Sequence, residues 1–508
     1  MKKNTIIRLV AFLMLAAMML SAVACANTGT SDETTAGNSG NGAQTEAPVD
    51  ETTTDPTVDV NGYKKDDLPE DLKFNENINI LVWDDVEHEE FEVAYEDLSG
   101  DIVEQSLYDR NSKVEARLGL TLNFIRVNGN ADNVSNFSSY VNNSVSINAK
   151  EFDVIGCYSL TLAKCASSGY LYNMLDDACE YLNFDQPWWS ELLLEQATFG
   201  DNLYFASGDI SRNALEMMYV CYANTALLAE FNLQNPQELV EPGDWTYDKF
   251  IEMCQGVYKD DGDGVKNCES ESGDTFGYIT SGIHVDPWFY GTGAVMALQD
   301  ENGDLKMAES FQSEKVINAI DKINSLLWDS SDGIYTDSVK HQTEFRDEHL
   351  LFMTDRARVS FKVLAANENC HYTIVPCPKY DEQQENYSTV MGNPFTLYAI
   401  PVDSVNPSMA SAVMECFASE SFRNTTPAVF EITLKLKYAQ DEVTGQMYDI
   451  IRDTVSFDIG RIFSSDLIGQ GLFRNSIKGN RNSWASDVKM NTKPLTKKLE
   501  QLTKAFSD

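Results

Sequence analysis

Side chains able to grip a polar molecule fall at the ends of two apolar runs. Trp83 ends INILVW with Asp84 behind it, and Tyr158 ends EFDVIGCY with Ser159 behind it. An aromatic ring offers a flat apolar face, while carboxylate and hydroxyl groups beside it accept or donate hydrogen bonds. Trp288, in HVDPWFYGTG, follows Pro287 and precedes two glycines within five residues, which predicts a turn that could present its indole. The Trp188–Trp189 pair follows Pro187 and precedes SELLLEQA, so at least one of those rings is expected to staple a helix start.

Bond-breaking chemistry has less support. The chain holds no GxSxG, HExxH or Walker sequence, and its five histidines (88, 284, 341, 349 and 371) show no ligand spacing. With 79 acidic residues, some pair must sit at the separation glycoside hydrolysis uses, so no single pair identifies an acid hydrolase. A secreted glycoside hydrolase is therefore an alternative, as is a carbohydrate-binding surface adhesin, although no internal repeats are found.

One loop resembles a calcium site. In KDDGDGVKNCES, Asp261, Asp263 and Asn267 fall at positions three, five and nine of an EF-hand-like register, with Gly264 at six. Lys259 and Ser270 stand where the first and twelfth ligands belong, so a metal-free turn is expected. Asn302–Gly303 in DENGDLK is first a hairpin signal. No metal and no cofactor are expected.

The elements that would position these groups alternate. INILVW reads as a buried strand, SLYDRNSKVEARLGL carries apolar positions at helical spacing, TLNFIRV is a second strand and EFDVIGCY a third. Such units predict an α/β fold with a mainly parallel sheet and ligands beyond the carboxyl ends of its strands.

The N-terminus has a different character. Lys2, Lys3 and Arg8 precede LVAFLMLAAMML, twelve apolar residues, and then SAVAC. A membrane span needs about 20 apolar residues, so 1–25 reads as an export signal whose small residues before Cys25 resemble a lipobox. Cys25 is the expected lipidation site, anchoring the protein to the outer face of the cell membrane. Residues 26–72 are acidic and rich in Thr, Gly, Asn and Ser, predicting a disordered tether. Residues 73–508 are long enough for two lobes. The formal charge of −41 argues against nucleic acid and anionic lipid as partners. The nine cysteines after Cys25 contain no CxxC pair, so neither a zinc site nor a disulfide framework is read from them.

The order and spacing of SLYDRNSKVEARLGL, EFDVIGCYSLTLAKCASSGYLYNM, FDQPWW, LYFASGDIS, WTYDKFIEMCQGVYKDDGDG, DPWFYGTG, FMTDRARVSF, LYAIPVDSVNPSMASAVMECFASESF and YDIIRDTVSFDIGRIF resemble bacterial extracellular solute-binding proteins of family 1, over about residues 75–465. These are carbohydrate-type receptor lipoproteins of ABC importers. The resemblance implies a two-lobed periplasmic-binding-protein-like fold with hinge and interlobe cleft. Lobe one would span about 73–205 plus 398–450, and lobe two about 206–390 plus 451–508. The chain would cross between lobes near 206–220 and 390–397, which puts Asp209 at one crossing and Asn393 and Phe395 at the other. Trp83 and Trp288 would be stacking platforms in the cleft. Arg461 could supply a fork of donors to a solute, although an arginine in DIGRIF reads first as a structural ion-pair partner. The implied partners are a sugar or oligosaccharide, membrane permease subunits and the lipid bilayer, with the receptor a monomer.

Overall fold

A computed structural model describes residues 57–507, apart from 269–272, 440 and 468. The expected signal segment, Cys25 and the expected tether up to residue 56 lie outside the described residues. Among those described, no helix is long and apolar enough to cross a membrane.

Nearly every residue of the first strand, β1 (Asn77–Trp83), is shielded, as a strand flanked on both edges and covered on both faces requires. Parallel to it run β2 (Thr121–Val127) on one edge and β3 (Val154–Tyr158) on the other. The helix Ile102–Leu118 connects β1 to β2. Asp101 caps its start by accepting from the Val103 amide at 2.8 Å, and Gly119 ends it in the left-handed conformation at φ 61°.

A second sheet holds β4 (Tyr219–Asn224), β5 (Phe276–Ser281), β6 (Gly333–Thr336), β7 (Leu350–Arg356) and β8 (Tyr372–Val375), in the order β6-β5-β7-β4-β8. Strands β5, β6 and β7 are parallel, whereas β4 runs antiparallel to both β7 and β8. The chain then returns to the first sheet as β9 (Thr396–Ala399), antiparallel to β3. Each sheet thus carries one reversed strand belonging to a segment that passes between them. Ala206 still pairs with Tyr398 on the first sheet while Tyr219 pairs with Arg356 on the second, and Met218 bridges Met391 where two passing segments lie side by side.

Two expectations need correction. Residues 57–72 are packed rather than tethering: Asp66 is buried, takes both Nη groups of Arg117 at 2.5 Å and accepts from Ser419 Oγ at 2.6 Å, and Leu68 joins the core. A few buried anchors suffice to order a stretch whose average composition is polar. The helix Glu442–Asp453, expected with lobe one, packs on β8, where Asp441 accepts from Thr373 Oγ1 at 3.1 Å. Asn302–Gly303 does turn a hairpin, pairing Ala297–Gln299 with Leu305–Met307 around Gly303 at φ 82°.

Cys157, Cys165, Cys179, Cys221, Cys254, Cys377 and Cys416 are buried thiols. Burial pushes Cys165 and Cys179 up to about 12.

Candidate functional site

The carboxyl ends of β1, β3, β5 and β7 and the segments passing between sheets converge on one region. At its first-sheet side, the Trp83 indole is buried, donates to Thr396 Oγ1 at 3.1 Å and meets the Tyr158 ring edge-on at 5.4 Å. Ser159 donates through Oγ to the Asn393 carbonyl at 2.7 Å and through its amide to the Phe395 carbonyl at 3.0 Å. Trp83, Tyr158, Ser159, Asn393 and Phe395 are therefore one contiguous group. Asp84 is exposed at its edge, 3.7 Å from Arg126. With its indole enclosed, Trp83 offers no free stacking face in this arrangement.

Trp288 is elsewhere. It lies within the helix Asp286–Tyr290, 1 % exposed, donating to Tyr278 Oη at 3.0 Å and packed among Tyr247, Phe250 and Tyr278. The turn reading fails because Pro287 occupies the first turn of that short helix and Gly291 follows its end, positions both residues also favour. Trp288 is core of the second sheet's lobe.

Asp209 lies instead on a cavity of about 210 Å³ at the passing segments, lined also by Trp188, Trp189, Met218, Met391, Arg452 and Phe457. Its Oδ1 accepts from Thr426 Oγ1 at 2.7 Å and from Arg452 Nη2 at 3.4 Å. Burial pushes the Asp209 carboxyl up against the opposing pull of Arg452. Gly208 is needed here, since a Cβ would overlap the Trp188 carbonyl oxygen. The two indoles are fixed from behind: Trp188 and Trp189 donate to the two oxygens of Glu415, at 3.0 and 2.9 Å. Trp188 is 0 % and Trp189 4 % exposed, so the groups open to the cavity are the half-buried Phe457 ring and the Arg452 guanidinium, which suit a molecule with apolar faces and hydroxyl edges. Arg452 and Phe457 carry no local sequence signal, and the tandem indoles, read as a helix staple, also line the cavity.

Charged groups fill the strand-end region on the second-sheet side. Asp286 accepts from Arg461 Nη1 at 2.6 Å and from Arg474 Nε and Nη2 at 2.8 and 2.6 Å. Arg461 also donates through Nε to the Met391 carbonyl at 3.0 Å, joining the C-terminal segment to a passing one. Its sequence reading as an ion-pair partner matches this geometry. Burial pushes the Tyr158 phenol up to about 12, while Arg461, Arg474 and Arg356 pull it down across the gap. The loop after β1 reaches the second lobe as well, with Glu87 paired to Arg358 and His88 edge-on to Phe361 at 5.5 Å.

Among the described residues, two groups could hold a metal. Asp260, Asp261 and Asp263 are exposed, and their carboxylates accept amides of their own loop, Asp261 from Asp263 at 3.1 Å and Asp263 from Val265 at 2.7 Å. Asn267 donates its side-chain amide to the Val265 carbonyl at 3.1 Å. His284, His341 and Asp355 form the second group, buried at the ends of β5 and β7.

No protein-family model and no curated protein matches this chain. Solved structures do. The GacH receptor of Streptomyces glaucescens, determined unliganded and with acarbose, is 13 % identical with a TM-score of 0.54, over 84 % of this chain and 99 % of that one. An ABC-transporter solute-binding protein of Thermotoga lettingae bound with α-D-tagatose is 15 % identical with a TM-score of 0.52, over 84 % and 100 %. One from Agrobacterium radiobacter in complex with ribitol is 12 % identical with a TM-score of 0.51, over 83 % and 98 %. The fold is thus the two-lobed α/β fold of the ABC-transporter sugar-binding proteins.

Proposed function

We propose that this chain is the extracellular receptor of an ABC importer, capturing a carbohydrate or related polar solute and handing it to a membrane permease, with no chemistry of its own. The observation that carries the reading is the cavity at the passing segments. Rings of Trp188, Trp189 and Phe457 stand there with Asp209 and Arg452, in a fold whose relatives are described with acarbose, tagatose and ribitol. Passing segments are where hinge bending closes two lobes on a ligand. A solute held there would touch both lobes and stabilise the closed form. Trp83, Asp84, Tyr158, Ser159, Asn393 and Phe395 would shape the strand-end side of the cleft.

Cys25 carries the proposed anchor. Cys25→Ser should shed the protein into the medium or leave it unprocessed, and normal membrane retention of that variant would remove the lipoprotein part of the reading.

A thermal-shift and calorimetric screen of the purified protein against sugars and polyols tests the receptor part. A solute at 100 times its dissociation constant raises stability by about 2.7 kcal/mol. Tight binding without turnover supports the receptor. Hydrolysis of a chromogenic glycoside, or indifference to every sugar and polyol, would replace it.

A further inference from the structure

His284, His341 and Asp355 come from separate places: the turn Gly282–Val285 after β5, the first residue of the helix His341–Arg346, and the penultimate residue of β7. Folding brings one ligand atom of each within 4.8 Å of the others. His284 Nδ1 stands 3.5 Å from Asp355 Oδ1, and His341 Nε2 stands 2.9 Å from Asp355 Oδ2. All three residues are at most 2 % exposed. His284 Nδ1 has no hydrogen-bond partner although it is buried and points at the carboxylate, and His341 Nδ1 has none either. The orphaned His284 nitrogen costs free energy unless something binds it.

We propose that His284, His341 and Asp355 form a binding site for one divalent transition-metal ion of the zinc class. Two imidazoles and a carboxylate are a borderline donor set, suited to zinc or its first-row neighbours rather than to calcium or magnesium. Bonds of about 2.0–2.2 Å in tetrahedral geometry put neighbouring donors about 3.4 Å apart, which the 3.5 Å between His284 Nδ1 and Asp355 Oδ1 fits, while His341 Nε2 stands at the other oxygen of the same carboxylate.

The surroundings support the carboxylate from outside. Gln342 Nε2 donates to Oδ2 at 2.6 Å, and Arg356 donates to Oδ1 through its amide at 2.7 Å and Nε at 3.0 Å. Such outer hydrogen bonds orient a ligating carboxylate. Three protein donors leave a fourth position for a non-protein oxygen. The ion would fasten the ends of β5 and β7 to the helix beside them, whichever solute the cleft takes. The proposal does not depend on the receptor reading.

The test uses the full chain stripped with chelator, then dialysed against zinc chloride alone, or cobalt chloride for its visible spectrum. One equivalent of zinc retained, a raised melting temperature and tetrahedral cobalt bands are expected. All three should be lost in His284→Ala, and in His341→Ala if it folds, and kept in Asp261→Asn/Asp263→Asn. Because the His284 ring is buried against Tyr219 and His341, His284→Phe, which fills the same space without a donor, is the second variant and should lose zinc while keeping the fold. Zinc retention well below one equivalent in the parent, or retention undiminished in His284→Ala, overturns the site.

Discussion

Arg461 holds Asp286 at 2.6 Å across 175 residues of sequence, and Arg474 grips the same carboxylate from its other side. Burial would push its carboxyl up, but Arg474 and Arg461 outweigh that and hold it below the usual range.

Asp286→Ala therefore strands two arginines, one of them buried, and should cost about 3–5 kcal/mol, read as a lower urea midpoint. A folded-state pKa below the unfolded one gives stability that is full above about 3.9 and lost as pH falls through the depressed value. The gap between parent and variant should stay level from pH 8 to pH 5. A gap that shrinks already at pH 6 would contradict this pairing.

Glu415 behaves oppositely. Burial raises its carboxyl from 4.5 to about 7 despite the indole donors of Trp189 and Trp188 and the Asn183 amide. The native state keeps a proton that the unfolded chain releases, so this group makes stability fall as pH rises from about 4.5 to about 7 and leaves it flat above. Glu415→Gln should flatten that slope. It should also cost about 1–3 kcal/mol at pH 5, because an amide nitrogen cannot accept from an indole. Chemical denaturation across this range measures both, and an unchanged slope would exclude the assignment.

Trp288→Ala should cost about 3–5 kcal/mol of stability, the price of an emptied core site. Once folded, the variant should bind its solute as the parent does. A variant of parental stability and weakened affinity would place the indole in the cleft after all.

Phe457→Ala should do the reverse. Its half-buried ring lines the cavity beside Phe395, 5.8 Å away, and stacking is worth about 0.5–1.5 kcal/mol beyond area burial. Calorimetry with whichever sugar the screen identifies should show about tenfold weaker binding, equivalent to about 1.4 kcal/mol. Parental affinity would move the site away from the passing segments.

Strand and helix periodicity made the first sheet legible: INILVW and EFDVIGCY became β1 and β3 because buried strands carry dense apolar runs, and TLNFIRV became the half-exposed edge strand β2. The segments passing between sheets were less legible, since their residues answer to partners far along the chain. Asp209 meets Arg452, and Trp188 meets Glu415, over more than 200 residues. Trp288 was misread because proline and glycine punctuate short helices as well as turns. The His284, His341 and Asp355 group has no sequence signature, as three separate elements build it.

The buried thiols give the molecule an internal timer. Among the described residues nine cysteines sit enclosed in the native fold, and burial keeps Cys165 and Cys179 near 12, so at pH 8 an alkylating reagent finds little thiolate to attack there. Once the chain opens, each returns to about 8.5 and reacts. Label uptake by mass, counted cysteine by cysteine against time, would show whether the two sheets come apart together or one after the other: Cys157 and Cys165 report on the first, Cys221 and Cys254 on the second.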